Sequence, residues 1–540
     1  MALPLAKRLG RPPREVAGEL AGRLEVSDVC EPPEVSGPGF INFTLRDDWI
    51  ASQASQMLED PRLGLEPAAR RQVVVVDYSS PNIAKEMHVG HLRTTIVGDA
   101  IARALDFIGH RVIRDNHVGD WGTPFGMLIE HLLDVGEDSA EAALLTTDPN
   151  AFYQAARRTF DADPDFAERS RKRVVDLQGG DPGTLRLWRE IVDMSLDYLH
   201  RIYGRLGVLL TDADIRGESF YNDMLAETVA ILEEMGIALY SDGALCAFPP
   251  GFTGREGRPL PLIIRKSDGG YTYATTDLAT IRYRVDKLHT DRAIYVVGSD
   301  QALHFQMVFA VARQAGWIPD GAVFEHAQIG LVLGTDGNRL RTRSGDNVQL
   351  SDLLEEAVDR ARGILDEVDA AARFDPAELG EVAEAVGVGA VKYADLSTAR
   401  ESAYVFDWDR MISFRGNTGP YLQYATARIR SIFRRAGAGA DQEIRGSQIA
   451  VVAGPERALA LKLLGFGATL TGVGETAEPH RLCAYLFDVA SLFTTFYEEC
   501  PVLKAEPAGL RASRLALCAL TLGVLTTGLG LLGVPVPERM

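Results

Sequence analysis

Four consecutive valines, Val73-Val74-Val75-Val76, constrain this chain's architecture more than any other feature. A run that is β-branched at every position has no polar face, so both faces must be covered, as in a central strand of a parallel sheet. A turn follows, then an apolar helical pattern over 92–108, the short strand Val112-Ile113 and another helix. Such alternation predicts an α/β fold with a doubly wound parallel sheet of the Rossmann type. Over about 138–235 the pattern turns helical and charge-rich, which predicts an insertion into the sheet domain. Strand and turn signals return near Leu262-Ile263-Ile264, and alternation resumes with Ala293-Ile294-Tyr295-Val296-Val297 and a helix over 301–314. After about 350 no strand signal remains, so an all-α bundle is expected to the end. Ahead of the valines, an amphipathic stretch over 16–24 and the strand-like Phe40-Ile41-Asn42-Phe43-Thr44-Leu45 predict a small α+β module. The expected units are therefore 1–70, 71–350 and 351–540, consistent with a length of 540 residues that exceeds one ordinary core.

Composition narrows the function classes. The formal net charge is −19, which by itself argues against binding phosphate backbones. The basic residues are clustered, however: Arg157, Arg158, Arg169, Arg171, Lys172 and Arg173 in one stripe, Arg428, Arg430, Arg434 and Arg435 in another. An acidic protein with local basic stripes can bind RNA while resisting non-specific adhesion. Five cysteines stand far apart with no C-x-x-C pair, so neither a zinc ribbon nor a disulfide framework is expected, and a reducing cytoplasm is. Glu15 and Glu19 argue against an organelle presequence. Residues 515–537 carry no charge and are long enough to span a bilayer. Their Gly and Thr content predicts a buried C-terminal helix instead, so no membrane is expected as a partner.

The chemistry is concentrated in Asp77-Tyr78-Ser79-Ser80-Pro81-Asn82-Ile83-Ala84-Lys85-Glu86-Met87-His88-Val89-Gly90-His91-Leu92-Arg93. This segment lies between the first parallel strand and the next helix, where doubly wound sheets bind ligands and where free N–H groups favour phosphate. His88 and His91 are three apart and share a face if the helix has begun. Imidazoles there can donate to triphosphate oxygens as charge develops. Gly90 between them leaves room for a flat base against the backbone. Two histidines also fit a metal, but no third ligand stands at a suitable spacing, so no metal site is expected.

The segment resembles the first signature of the class I aminoacyl-tRNA synthetases, and Ser79-Ser80-Pro81-Asn82-Ile83-Ala84-Lys85 is similar to the arginine branch in particular. The resemblance extends through Asn116-His117-Val118-Gly119-Asp120-Trp121-Gly122, Tyr273-Ala274-Thr275-Thr276-Asp277, Phe406-Asp407-Trp408-Asp409-Arg410-Met411 and Gly416-Asn417-Thr418-Gly419-Pro420-Tyr421-Leu422-Gln423-Tyr424. It implies activation of arginine by ATP, brought as its Mg²⁺ complex, and transfer of the arginyl group to the terminal adenosine of tRNA. By position, it assigns arginine recognition to Asp77, Ser79, Asn82, Tyr273, Asp277 and Gln301. The physics agrees, since a guanidinium is a planar fork that demands carboxylates. Asp277 and Tyr273 are four apart on a predicted helix and can face one pocket.

The second class I signature, a lysine-rich phosphate-gripping loop, is expected after the last sheet strand. Gly334-Thr335-Asp336-Gly337-Asn338-Arg339-Leu340-Arg341-Thr342-Arg343-Ser344 occupies that place. It resembles the arginine branch's degenerate loop, with Arg339 and Arg341 where lysines are usual. Members lacking the lysine loop use a lysine three residues before the first signature histidine, and Lys85 stands there. The resemblance thus implies ATP contacts by Lys85, His88, Gly90, His91, Arg339, Arg341, Arg343 and Ser344. It also implies tRNA contacts by Tyr421, Tyr424, Arg428, Arg430, Arg434 and Arg435, basic residues mixed with aromatics. The leading module is expected to lack about one strand and one helix that relatives carry, and Arg415 stands where an acidic residue is usual. A monomer is expected. The alternative from another class is a non-catalytic paralogue that binds tRNA or arginine.

Overall fold

The valine run does become a central strand. In the computed structural model, which describes residues 2–83, 85–254, 257–340, 348–367 and 374–540, Val73–Asp77 pairs in parallel with Arg111–Asp115 on one side and Arg292–Gly298 on the other. Val323–Ile329 extends the sheet in parallel beyond Arg292–Gly298. Side chains alternate across a strand, and the core divides accordingly. Val74 and Val76 pack in one cluster with Leu92 and Ile96 of the helix Val89–Ile108. Val75 packs in another with Val308 of the helix Ala302–Gln314 and Leu278 of the helix Tyr273–Asp286.

The insertion is helical for a reason visible in the chain. Its three long helices, Pro149–Ala162, Pro164–Gln178 and Pro182–Leu206, each begin at an Asp-Pro pair. Asp148, Asp163 and Asp181 cap by accepting backbone N–H groups of the first turn, while proline's fixed φ suits the first helical position. The basic stripe here is largely consumed internally. Arg169 donates to Asp134 and Glu130, Arg173 to Glu130, and Arg157 and Arg171 pair with Asp161 and Glu168.

Two strand features depart from expectation. Leu262–Arg265 joins Ala238–Ser241 and Ala244–Ala247 in a separate antiparallel sheet, not the parallel one. Ala238–Ser241 and Ala244–Ala247 lack a β-branched run, yet Asp242 and Gly243 between them take φ of 50° and 80°, the backbone of a two-residue Asp-Gly hairpin. Within the helical last third, Tyr404–Val405 pairs in parallel with Val332–Leu333, because a two-residue strand gives no periodic signal.

The first module comprises the helices Ala2–Leu9 and Pro13–Arg23 and the hairpin Glu34–Ser36/Phe40–Asn42. The following helix, Asp47–Glu59, is tied to the C-terminal helices: Arg457 donates to Asp47 and to the Leu45 carbonyl, and the Ile449 N–H to Ser55. The uncharged C-terminal stretch forms the helix Ala508–Leu531, long and apolar enough to cross a membrane. Leu515, Leu517, Leu520, Val524, Leu525 and Leu529 are instead buried in the protein, each worth about 1.5–3 kcal/mol. Arg514 donates to Glu456 at 2.7 Å beneath them. Truncation before Arg514 is therefore expected to unfold the C-terminal helices, and limited proteolysis should then degrade residues 419–513 while sparing the sheet domain.

Candidate active site

At the end of the central strand the chain makes an unusual turn. Ser79 and Ser80 both adopt positive φ, 71° and 45°, a conformation that costs non-glycine residues of order 1 kcal/mol and persists only when held. Here it is held: Ser80 N donates to Asn116 Oδ1 at 3.0 Å and Ser80 Oγ to Asp77 Oδ1 at 2.9 Å. Asn82 then bridges in parallel to Gly119, and a Cβ at Gly119 would collide with the Asn82 side chain. The Asn116–Gly119 string thus braces the first signature.

His88 caps the helix Val89–Ile108, and His91 lies in its first turn, ring centroids 3.9 Å apart. The backbone fixes both tautomers. Gly90 N donates to His88 Nδ1 at 3.0 Å, and His88 N donates to His91 Nδ1 at 3.1 Å. With both Nδ1 atoms accepting, each neutral ring carries its proton on Nε2. Burial, then the charges of His88 and Lys85, push His91 down to about 3. Burial and Lys85 lower His88 as well. The pair is therefore a set of neutral donors. Gly90 also serves the pair directly: a Cβ there would meet the His88 ring at 2.7 Å, so the glycine makes room for the histidine.

These rings line a cleft of about 420 Å³ with Asn82, Lys85, Tyr153 and Gln349. The Lys85 ammonium sits 4.4 Å over the ring of Tyr153 from the insertion, a contact that sequence gave no means of finding. The strand-like segment behind the second signature is stitched to the first: Val89 N donates to Val348 O and Leu350 N to Met87 O. Arg339 lines a neighbouring cavity with Asp336, Asp352 and Trp408, not this cleft. Arg341, Arg343 and Ser344 lie outside the described residues.

Adjoining the cleft at Asn82 is a second cavity of about 310 Å³, lined by Asp77, Asn82, Glu218, Tyr273, Asp277, Gln301 and His304 among others. Five of the six residues assigned to arginine come together here. Two assignments need correction. Ser79 is buried outside the lining, its Oγ bound to Tyr203 Oη at 2.7 Å and Thr95 Oγ1 at 2.8 Å. Asp77 lines the cavity but offers no free carboxylate, because Oδ1 accepts from Ser80 and Oδ2 from Arg284 at 2.6 Å. Arg284, fully buried over the Tyr295 ring, also donates to Asp115. The chain already places a guanidinium of its own on Asp77.

Sequence reading missed Glu218 and His304. His304 stands three residues after Gln301, one helical turn on, and its Nε2 meets Asp277 Oδ2 at 2.5 Å. Glu218 has no local signal. It reaches the cavity because Asp120 accepts from Ser219 N at 2.9 Å and Ser219 Oγ at 2.5 Å, and because Glu218 N donates to Val118 O.

On the C-terminal helix Gly419–Ala436, Arg428 lies over Tyr424 and Tyr497, centroid distances 5.2 and 5.1 Å. Arg434 and Arg435 are exposed. Arg430 is a correction: it donates to Pro537 O at 2.8 Å and pairs with Glu538, so the chain terminus consumes it. Tyr421 is half-buried against Phe487, its hydroxyl 3.4 Å from Thr494.

Comparison with known proteins accords with this geometry. The family described as tRNA synthetases class I (R), catalytic domain, matches residues 53–408; the DALR anticodon binding domain matches 422–540; the arginyl tRNA synthetase N terminal domain matches 1–45. The chain is 62% identical over its whole length to the arginine–tRNA ligase of Thermobifida fusca, covering 93% of that protein, and 48% identical to that of Cellvibrio japonicus, also covering 93%. Among solved structures it is similar to the arginyl-tRNA synthetases of Plasmodium falciparum (TM-score 0.84, 29% identity) and Thermus thermophilus (0.81, 28%). All of this chain is covered in both, with 92% and 93% of theirs.

Proposed function

This chain belongs to the arginyl-tRNA synthetases, class I enzymes that ligate arginine to tRNA, and from that premise we propose how its residues divide the work. Arginine occupies the acidic cavity, its guanidinium toward Asp277, Glu218 and the Tyr273 hydroxyl, its α-amino and carboxylate groups toward Asn82 and Gln301. ATP, brought as its Mg²⁺ complex, occupies the adjoining cleft. The arginine carboxylate attacks the α-phosphorus, pyrophosphate leaves, and a ribose hydroxyl of the terminal tRNA adenosine then takes the arginyl group.

The observation that carries this reading is that Asn82 lines both cavities. The carboxylate end of one substrate and the α-phosphate of the other would meet there, and holding two reactants in register is worth several kcal/mol of barrier. His88 and His91 turn fixed Nε2–H donors toward phosphate oxygens whose charge grows in the transition state. Neutral donors suit this task because they need no proton to be lost or gained. Lys85 supplies the positive charge. Tyr424, Arg428, Arg434 and Arg435 offer tRNA a stacking and phosphate-binding face. We read the enzyme as a cytoplasmic monomer. The relatives compared are themselves ligases, and none supports a non-catalytic paralogue.

The test is arginine-dependent exchange of pyrophosphate into ATP. Little exchange is expected without tRNA and robust exchange with cognate tRNA, because the second-signature segment carries arginines where lysines are usual, and binding of the acceptor end completes the phosphate site by induced fit. Strong exchange without tRNA would overturn this account of the loop. No exchange even with tRNA would overturn the assignment of the two cavities.

A further inference from the structure

Four carboxyl groups stand at or beside the arginine cavity, and three are already engaged. Asp77 is held by Arg284 from the helix Tyr273–Asp286. Asp120 accepts two hydrogen bonds from Ser219. Asp277 is paired with His304. The fourth, Glu218, is half-buried, and its carboxylate has no hydrogen bond or ion pair among the described residues. The other titratable groups facing it are the Tyr273 phenol and His117, whose Nδ1 is buried without a partner. His304 faces Asp277 and Phe305, whose ring also lies against His326.

A carboxylate without a cation, beside other carboxylates, is costly to ionise. Burial, then the charges of Asp120 and Asp277, push Glu218 up to about 8. Burial disfavours charge on His304 too, but its hydrogen bond and attraction to Asp277 outweigh that and raise it. Near neutral pH the cavity therefore holds Glu218 as the neutral acid, and Asp277 favours the imidazolium form of His304. An arriving guanidinium can donate a hydrogen bond to Asp277, but that carboxylate's charge is already balanced. It must draw its counter-charge from Glu218.

We propose that arginine enters this cavity in exchange for a proton from Glu218, and that His304 is the positioning residue that imposes the exchange by occupying the Asp277 carboxylate. The proposal rests on the reading of this cavity as the arginine site. The balance is simple: the Glu218 carboxyl loses its O–H proton to solvent, its carboxylate pairs with the guanidinium, and no bond of arginine changes. The sign follows from a raised carboxyl: release is nearly complete below about 8 and fades as pH rises through that value. Arginine affinity should therefore strengthen with pH up to about 8 and level off above it.

Calorimetric titration of the full chain with L-arginine, in buffers of different ionisation enthalpy, counts the protons. About one proton released per arginine is expected near pH 7, falling toward none by about pH 9.5, with Kd dropping about tenfold per pH unit below the transition. Glu218→Gln should bind more weakly and release none. His304→Gln keeps a donor to Asp277 without the charge, so the guanidinium can pair with Asp277, and release near pH 7 should fall below half a proton. Unchanged ATP KM in both variants would show that the fold is intact. Arginine binding with buffer-independent heat in the unmodified enzyme overturns the exchange, and full release from His304→Gln overturns the role of His304. Neither result touches the site reading, which fails only if arginine gives no heat and pyrophosphate exchange is also absent.

Discussion

Asp277→Asn should raise the arginine KM by about 10²–10³-fold, equivalent to about 3–4 kcal/mol, while leaving the ATP KM within about threefold. The size follows from what the substitution orphans. Asp277 is bonded to His304 at 2.5 Å and lines the cavity. Removing its charge also removes what favours the imidazolium form of His304, and the incoming guanidinium exchanges a carboxylate acceptor for a neutral amide, leaving Glu218 as its single carboxylate partner. Asparagine fits the space and keeps one accepting oxygen, so the fold should survive. Steady-state kinetics with each substrate varied in turn separates the outcomes: equal rises in both constants would make Asp277 a structural residue. The same cavity should activate canavanine, which keeps the planar fork, and reject lysine by a factor on the order of 10⁴, because a point charge leaves the fork's acceptors unpaired.

Much of this was legible in the chain, and the parts that were not have a common cause. The valines announced the central strand because a wholly β-branched run has one plausible environment. His88, Asn82, Tyr273, Asp277 and Gln301 line the two cavities because they lie in strings whose local order sets their geometry. Glu218 was not legible, because its position depends on Asp120 reaching about a hundred residues along the chain to pin Ser219. Asp77 and Ser79 were misjudged for the converse reason. Sequence shows that a polar side chain sits at the end of a strand, but not that Arg284 or Tyr203 has already claimed it. Arg430 is the same case on the helical side, claimed by the chain terminus. A side chain's chemistry is local, whereas its availability is set by the tertiary fold.

Lys85→Ala should lower kcat for aminoacylation by about 10²–10³-fold, the usual scale for losing one preorganised electrostatic contact, with arginine binding nearly unchanged. Among the described residues lining the nucleotide cleft, Lys85 is the sole cation, since His88 and His91 are held neutral. Glu86 and Asp352 line the same cleft. Burial raises the Glu86 carboxyl and so moderates its charge, but without Lys85 the remaining field opposes a triphosphate. Arg339 cannot compensate from its present place in the neighbouring cavity. Tyr153 gives a graded control. Its ring holds the ammonium at 4.4 Å, a contact worth about 0.5–2 kcal/mol, so Tyr153→Leu should cost about 2–30-fold and Tyr153→Phe much less. In the Lys85→Ala background Tyr153→Leu should add almost nothing, because the two residues act through one charge. Arginine-dependent single turnover with bound tRNA reads all four enzymes at the chemical step. A Lys85→Ala enzyme that turns over within a few-fold of the unmodified one would mean that the phosphates are met by the second-signature loop instead, and that Lys85 serves only to hold the insertion against the cleft.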